Sequence, residues 1–159
     1  MSKRRRILVL TDFSPGAVHG RQVAVDLARA LDASIVLLSV YDLPSFTLPD
    51  GSVVLAEPQT HADLISSITQ QLVREAELVA EAGVPVATRS EQGPPTATIL
   101  RVLKEPDWYM VVMGTHGRGG LGRLVLGSVA EGVVRGSDVP VLTVRHPSPP
   151  LKLPAVPVI

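Results

Sequence analysis

Met110-Val-Val-Met-Gly-Thr-His-Gly-Arg-Gly-Gly-Leu-Gly-Arg-Leu-Val-Leu-Gly-Ser128 is the stretch on which the fold turns. It starts as an apolar run of strand type. It then breaks into a loop with glycine at 114, 117, 119, 120, 122 and 127, and ends at Ser128 ahead of a helical pattern. Glycines at a strand-to-helix junction let the backbone take positive φ and let a ligand approach the main chain closely. A helix N-terminus adds N–H groups without intrahelical partners and the positive end of a dipole, which suits phosphate. The loop holds Arg118 and Arg123 and no acid. Ser128 reads as a good N-cap for the helix that follows. The loop therefore reads as a cradle for a nucleotide's phosphates.

Working outward, the same alternation runs through the chain. Arg6–Thr11 reads as a buried strand with a polar end, and Asp12-Phe-Ser14-Pro15 as a turn in which Ser14 caps a helix with Pro15 in its first position. Ala24, Leu27, Ala28 and Leu31 mark that helix's apolar face, and Ser34–Tyr41 is a second strand. A long helix runs from about His61 to Ala82, with Leu64, Ile68, Leu72, Ala76 and Val79 inward and Gly83 as its left-handed cap. Glu75, Glu77 and Glu81 fall on its polar face and read as solvent-facing. Val84–Ser90 is a third strand, Thr96–Lys104 a short helix, Trp108–Gly114 a fourth strand, Ser128 to about Arg135 a helix, and Val139–Arg145 a fifth strand. Apolar strands alternating with helices predict an α/β fold, a five-stranded parallel sheet with helices on both faces. In such sheets ligands bind beyond the carboxyl ends of the strands, where strand order reverses. With the first and fourth strands as central neighbours, Thr11-Asp12 and the loop Gly114–Gly127 bound that crevice.

Two segments fall outside the alternation. Residues 42–60 are broken by Pro44, Pro49, Gly51 and Pro58, yet carry Phe46, Leu48, Val53, Val54 and Leu55. They read as an irregular loop that covers a site, meets a partner or packs on its own domain. The tail, 147–159, has prolines at 147, 149, 150, 154 and 157, interleaved with Leu151, Leu153, Val156, Val158 and Ile159. Proline at that density favours extended chain lying on a surface. The expected division is a domain over 1–146 followed by this tail.

The totals exclude several classes. At 159 residues the chain fits one domain with a sizeable core, and at 45% hydrophobic but 3% aromatic that core must be aliphatic. A formal net charge of zero argues against nucleic acid as a partner. There is no cysteine, which rules out disulfides, thiolate metal sites and a cysteine nucleophile and fits a cytoplasmic location. Lys3-Arg-Arg-Arg6 precedes only four apolar residues, too few for a signal peptide, so it reads as a solvated lead-in or a weak polyanion contact. No apolar run is long enough to span a membrane.

Three glycine motifs compete for the loop. A P-loop needs a lysine that the loop lacks. Gly117-Arg-Gly119-Gly-Leu-Gly122 matches the dinucleotide fingerprint G-x-G-x-x-G, but it follows the fourth strand, and no acid closes the strand after it. The third pattern is Gly114-x2-Gly117-x9-Gly127-Ser128. With Thr11-Asp-Phe-Ser14, Val111-Val-Met-Gly-Thr-His-Gly-Arg118, Gly127-Ser-Val-Ala130 and Val139-Pro-Val-Leu-Thr-Val144, the chain resembles the universal stress protein family in its nucleotide-binding branch, over about 1–146.

The resemblance implies strand order 3-2-1-4-5 and a site for ATP, AMP or ADP in a stress-response protein. Carried onto this chain, it implies that Asp12 bonds the ribose, Thr11 lines the pocket and Val40 contacts adenine. Met113 and Gly114 would lie near the sugar and first phosphate, and Gly117, Gly127, Ser128 and Val129 would bind phosphates. It also implies a homodimer through strand 139–144 and a divalent ion, Mg2+ or Mn2+, held through the phosphates. Arg118 and Arg123 can neutralise phosphate or remain solvated loop charges; the motif does not require them. Asp12 can equally serve as a turn residue, Ser128 as a cap alone, and His116 as a surface residue or a group acting on phosphate or water. His19, His61, His116 and His146 are dispersed and show no metal-ligand spacing. Two functions stay open: a nucleotide-binding regulatory module, or a slow ATP hydrolase or phosphotransferase using the same site.

Overall fold

Strand β1 (Arg6–Leu10) lies at the centre of the sheet because both its faces are apolar. In the computed structural model, residues 5–43, 45–55, 58–115 and 126–146 are described, and the structural statements below concern these. After β1 come α1 (Pro15–Leu31), β2 (Ser34–Tyr41), β3 (Ser45–Thr47), β4 (Val53–Leu55), α2 (Pro58–Glu81), β5 (Val86–Gln92), α3 (Pro95–Leu103), β6 (Trp108–Gly114), α4 (Ser128–Gly136) and β7 (Val141–Val144). The main sheet has order β5-β2-β1-β6-β7, and β3 and β4 form a separate hairpin. Counted among the five sheet strands alone, this is the expected 3-2-1-4-5. All four pairings are parallel, with Leu8 opposite Val36 on one side and Val111 on the other.

Alternation along the strands sorts the core into two layers. Ile7 and Val9 pack with Ala24, Ala28, Ile68, Leu72 and Val79 on the α1/α2 face. Leu8 and Leu10 pack with Ile99, Val102, Leu103, Ala130 and Val133 on the α3/α4 face. Successive crossovers run outward from β1 through β2 to β5, then jump back to β6 and β7. Strand order therefore reverses between β1 and β6, as a doubly wound sheet requires.

Local chemistry explains most boundaries. Ser14 caps α1, its Oγ accepting from Ala17 N–H at 3.3 Å with Pro15 in the first turn. Gly83, at φ +80, ends α2 as a left-handed cap. Trp108 is buried and donates its Nε1–H to Val102 O at 2.9 Å, tying β6 to α3.

Four expectations need correction. Segment 42–60 is not simply irregular: Pro49-Asp-Gly51 makes a tight turn between two short strands, and α2 already starts at Pro58. The turn is specified by Leu48 N–H to Ser52 O at 2.8 Å, by Asp50 Oδ1 accepting from Ser52 N–H at 2.9 Å, and by Gly51 at φ +83. Strand β5 begins at Val86 rather than Val84, since Pro85 has no N–H and only its carbonyl joins the ladder, accepting from Ile35 at 2.9 Å. The last strand is Val141–Val144 rather than 139–145. Ser137 Oγ bonds both the N–H and the O of Val139 and holds that residue in a turn. Finally, Glu75 is not solvent-facing: it ion-pairs with the buried Arg21 and joins α2 to α1. Removing either partner would strand the other's charge.

Candidate functional site

The site is built where β1 ends. Thr11 is buried, and its N–H still belongs to the sheet, donating to Leu38 O at 2.9 Å. Its Oγ1 accepts from Phe13 N–H at 3.1 Å, and Asp12 Oδ1 accepts from Ser14 N–H at 3.0 Å. These two bonds hold Phe13 at φ +63, left-handed backbone that a bulky residue rarely adopts. The turn thus fixes the Asp12 carboxylate at the carboxyl rim of the central strand. Asp12 does serve the turn reading, through Oδ1.

The neighbouring strand β6 ends at Gly114, beside β1. A Cβ at Gly114 would lie 2.9 Å from the Gly16 carbonyl carbon and 3.0 Å from its oxygen. Gly20 faces the same place, and a Cβ there would lie 3.5 Å from Gly114 N. The first turns of α1 therefore cross β6 at a separation that only glycine allows. This backbone reason for Gly114 is independent of any ligand.

Beyond Gly114 the chain is pinned twice. Thr115 N–H donates to Val144 O at 3.0 Å, extending the pairing with β7, and Gly127 N–H donates to Thr115 O at 2.8 Å. The second bond brings the two ends of the glycine loop together and sets the start of α4 directly at the end of β6. Here Ser128 corrects the sequence reading. Gly127 is the N-cap, at φ −60 and ψ 153, and has no side chain with which to cap this end; Ser128 is the first helical residue and is exposed at the rim. Gly127 takes the cap because its carbonyl accepts the first helical bond, from Glu131 N–H at 2.9 Å. The α4 N-terminus thus presents backbone N–H groups and the exposed Ser128 at the rim.

An apolar wall completes the rim. Val40, at the end of β2, packs in the α3/α4 layer with Met113, Leu126 and Val129. Thr11, Asp12, Val40, Met113, Gly114, Gly127, Ser128 and Val129 thus come together at one edge, though they span more than a hundred positions. Gly117, Arg118, Arg123 and His116 lie outside the described residues.

Among the described residues, no group of three or more His, Cys, Asp or Glu side chains could hold a metal ion. None of their helices is long and apolar enough to cross a membrane. The histidines are less dispersed in space than in sequence: the His19 and His146 rings meet edge-on with centroids 6.3 Å apart. No spacing rule could have found that pair, because it depends on α1 crossing the end of β7. A depression of about 290 Å³ opens at the opposite rim, lined by Ala28, Arg29, Asp32, Ala33, Gly83, Val84 and Pro85. It lies between two helix ends whose closing bonds, Ala33 N–H to Ala28 O and Val84 N–H to Val79 O, already use its backbone groups.

The chain matches the model of the universal stress protein family over residues 3–145. A universal stress protein of Methanocaldococcus jannaschii is 32% identical over 146 residues, covering 90% of this chain and 83% of that one. The fold is that of the universal stress protein UspA from Lactobacillus plantarum, with a TM-score of 0.75 at 24% identity over 91% of this chain and 100% of that one. Two further solved structures share it. One is a universal stress protein in complex with cAMP, with a TM-score of 0.67 at 22% identity over 92% of this chain and 100% of that one. The other is a universal stress protein from Archaeoglobus fulgidus in complex with dAMP, with a TM-score of 0.63 at 18% identity over 91% and 99%.

Proposed function

The chain belongs to the universal stress protein family, and from that premise we propose that it is a regulatory module that binds an adenine nucleotide, ATP in the first instance, at the carboxyl rim between β1 and β6. The observation that carries the reading is the Thr115–Gly127 hydrogen bond of 2.8 Å. It brings a helix start whose N-cap is a glycine to the strand-order reversal, beside the Asp12 turn. An anionic ligand and a polyhydroxyl group are what such a pair of features suits. Fold neighbours in complex with cAMP and dAMP support an adenine ligand.

In this reading Asp12 accepts from ribose hydroxyls, Thr11 lines the pocket, Val40 walls the base, and Met113 lies near the sugar and first phosphate. Gly114 lets the chain pass close to the sugar. Gly117, Gly127, Ser128 and Val129 donate to phosphates through backbone N–H groups and the Ser128 hydroxyl, and Arg118 and Arg123 add positive charge. A Mg2+ or Mn2+ ion would be held by the phosphates and water. A second copy would pair along β7, and nucleotide occupancy would bias that contact or one with another protein.

Isothermal titration with ATP, AMP and cAMP tests the reading, followed by thermal melting with saturating ligand. ATP should give heat and raise Tm. Asp12→Asn keeps an oxygen for Ser14 N–H but removes the charge. It should weaken binding about 10- to 100-fold, the weight of a hydrogen bond to a charged group, with little change in apo Tm. Absence of both heat and melting shift with every nucleotide would overturn the proposal.

A further inference from the structure

Helices α3 and α4 approach each other more closely than ordinary side chains allow. Each follows a strand that ends at the carboxyl rim and precedes another parallel strand, so the two run side by side away from that rim. Gly132 and Gly136 are one turn apart and share a face of α4. A Cβ at Gly132 would lie 2.5 Å from Thr96 Cγ2, and one at Gly136 would lie 2.7 Å from Leu100 Cδ1. Thr96 and Leu100 are likewise one turn apart on α3. Two side chains of α3 therefore seat in two gaps of α4, which fixes how far one helix is slid along the other. Thr96 is the second residue of α3, and Gly132 is the fifth of α4. At 1.5 Å of rise per residue, α4 thus starts about 4.5 Å nearer the rim than α3 does.

Of the two helices, α3 is the more firmly held. It buries Thr98, Ile99, Val102 and Leu103, whereas α4 buries Ala130 and Val133. Val102 O accepts from the Trp108 indole of β6 at 2.9 Å, and Arg101 bonds Glu91 of β5 at 2.8 Å. Any atom added between the helices therefore displaces α4 rather than α3. The start of α4 is tied to the end of β6 by Gly127 N–H on Thr115 O, at 2.8 Å. A bond of that length does not survive a shift of one ångström without loss. We propose that Gly132, with Gly136 behind it, is a positioning residue for the phosphate end of the site. By letting Thr96 and Leu100 seat in α4, it sets the height of the α4 N-terminus at the rim and keeps Gly127 on Thr115. The effect on phosphate rests on the nucleotide reading above; the effect on the Gly127–Thr115 bond does not.

Gly132→Ala separates this role from helix propensity by sign. Alanine is the better helix former, so propensity alone would tighten α4. The contact loosens its start instead, because the new Cβ meets Thr96, a β-branched side chain with few rotamers in a helix. In the ligand-free protein, Gly132→Ala should speed amide exchange at Gly127 about tenfold, the weight of one hydrogen bond, and leave Thr11, bonded to Leu38 O, unchanged. In isothermal titration, ATP should bind about tenfold more weakly, while adenosine, which has no phosphate, should stay within about twofold. Thr96→Gly added to the same chain removes the side chain that the new Cβ meets and should restore both readings. Heat from neither ATP nor adenosine with the unsubstituted chain would overturn the nucleotide reading and leave Gly127 exchange to decide the placement of α4. Slower or unchanged exchange at Gly127, equal losses for ATP and adenosine, or no rescue by Thr96→Gly would overturn the positioning role. An unprotected Gly127 in the unsubstituted chain would do the same.

Discussion

Gly114 shows how one residue can carry two explanations that a measurement separates. The sequence motif assigns it to a ligand, while the structure gives it a packing reason in the 2.9 Å approach of Gly16. Gly114→Ala should therefore destabilise the protein without any nucleotide present, by about 1–3 kcal/mol, the usual cost of overpacking against unyielding backbone. The readout is the urea midpoint at unchanged m-value. A loss under about 0.5 kcal/mol would show that α1 shifts freely and that the packing reason is wrong. Ser128 makes the opposite case. It is exposed and is not the cap of its helix, so Ser128→Ala should leave apo stability within about 0.5 kcal/mol, and any effect it has on nucleotide affinity belongs to the ligand. Which residue caps α4 was not legible in the sequence. Both Gly127 and Ser128 are acceptable caps, and the choice depends on the Gly127–Thr115 bond across the loop.

At the scale of elements, edge strand β5 is tied to α3 and the turn after it by a charge network. Arg89 makes a two-pronged contact with Glu105, both bonds 2.8 Å, and a third to Glu91 at 2.7 Å, while Arg101 bonds Glu91 at 2.8 Å. Arg101 first and Arg89 second hold the Glu91 carboxyl below its ordinary range, and Arg89 does the same for Glu105. Both shifts are downward on folding, so the unfolded chain binds more protons at acid pH. The network's contribution is therefore present above the ordinary glutamate value of 4.5 and is lost as pH falls through the depressed folded values. The partners are partly solvated, so the whole contribution is about 1 kcal/mol or less. Urea unfolding at pH 7 and pH 3.5 should show a smaller acid loss for Glu105→Gln than for the unsubstituted chain. An equal loss in both would remove the network from the account. The hairpin is an element that sequence could have revealed. Pro49-Asp-Gly51 between two apolar triplets is a turn signature, but three residues give too little alternation to distinguish a strand from a loop.

For the whole molecule, the open question is what lies along β7, which forms one edge of the sheet. A formal net charge of zero gives no long-range repulsion between copies. If a second copy pairs there, light scattering should give a dimer mass, and Thr143→Lys, which sets a charge on the half-buried edge, should lower it towards the monomer. A monomer mass for the unsubstituted chain at all concentrations would reject β7 pairing.

Much was determined by the sequence alone. Apolar runs buried on both faces, alternating with capped amphipathic helices, admit little besides a doubly wound parallel sheet, because the period and the caps are local properties. The spacing of Gly114, Gly117, Gly127 and Ser128, together with Thr11-Asp-Phe-Ser14 and the strands around them, likewise carries the resemblance to the family. The tertiary structure decided what depends on contacts between distant segments. It brought the Asp12 turn beside the pinned ends of the loop, moved the α4 cap to Gly127, paired Glu75 with Arg21, and set His19 against His146. None of these has a local signature, since each partner's position is fixed only when two helices or two strand ends are packed on the same sheet.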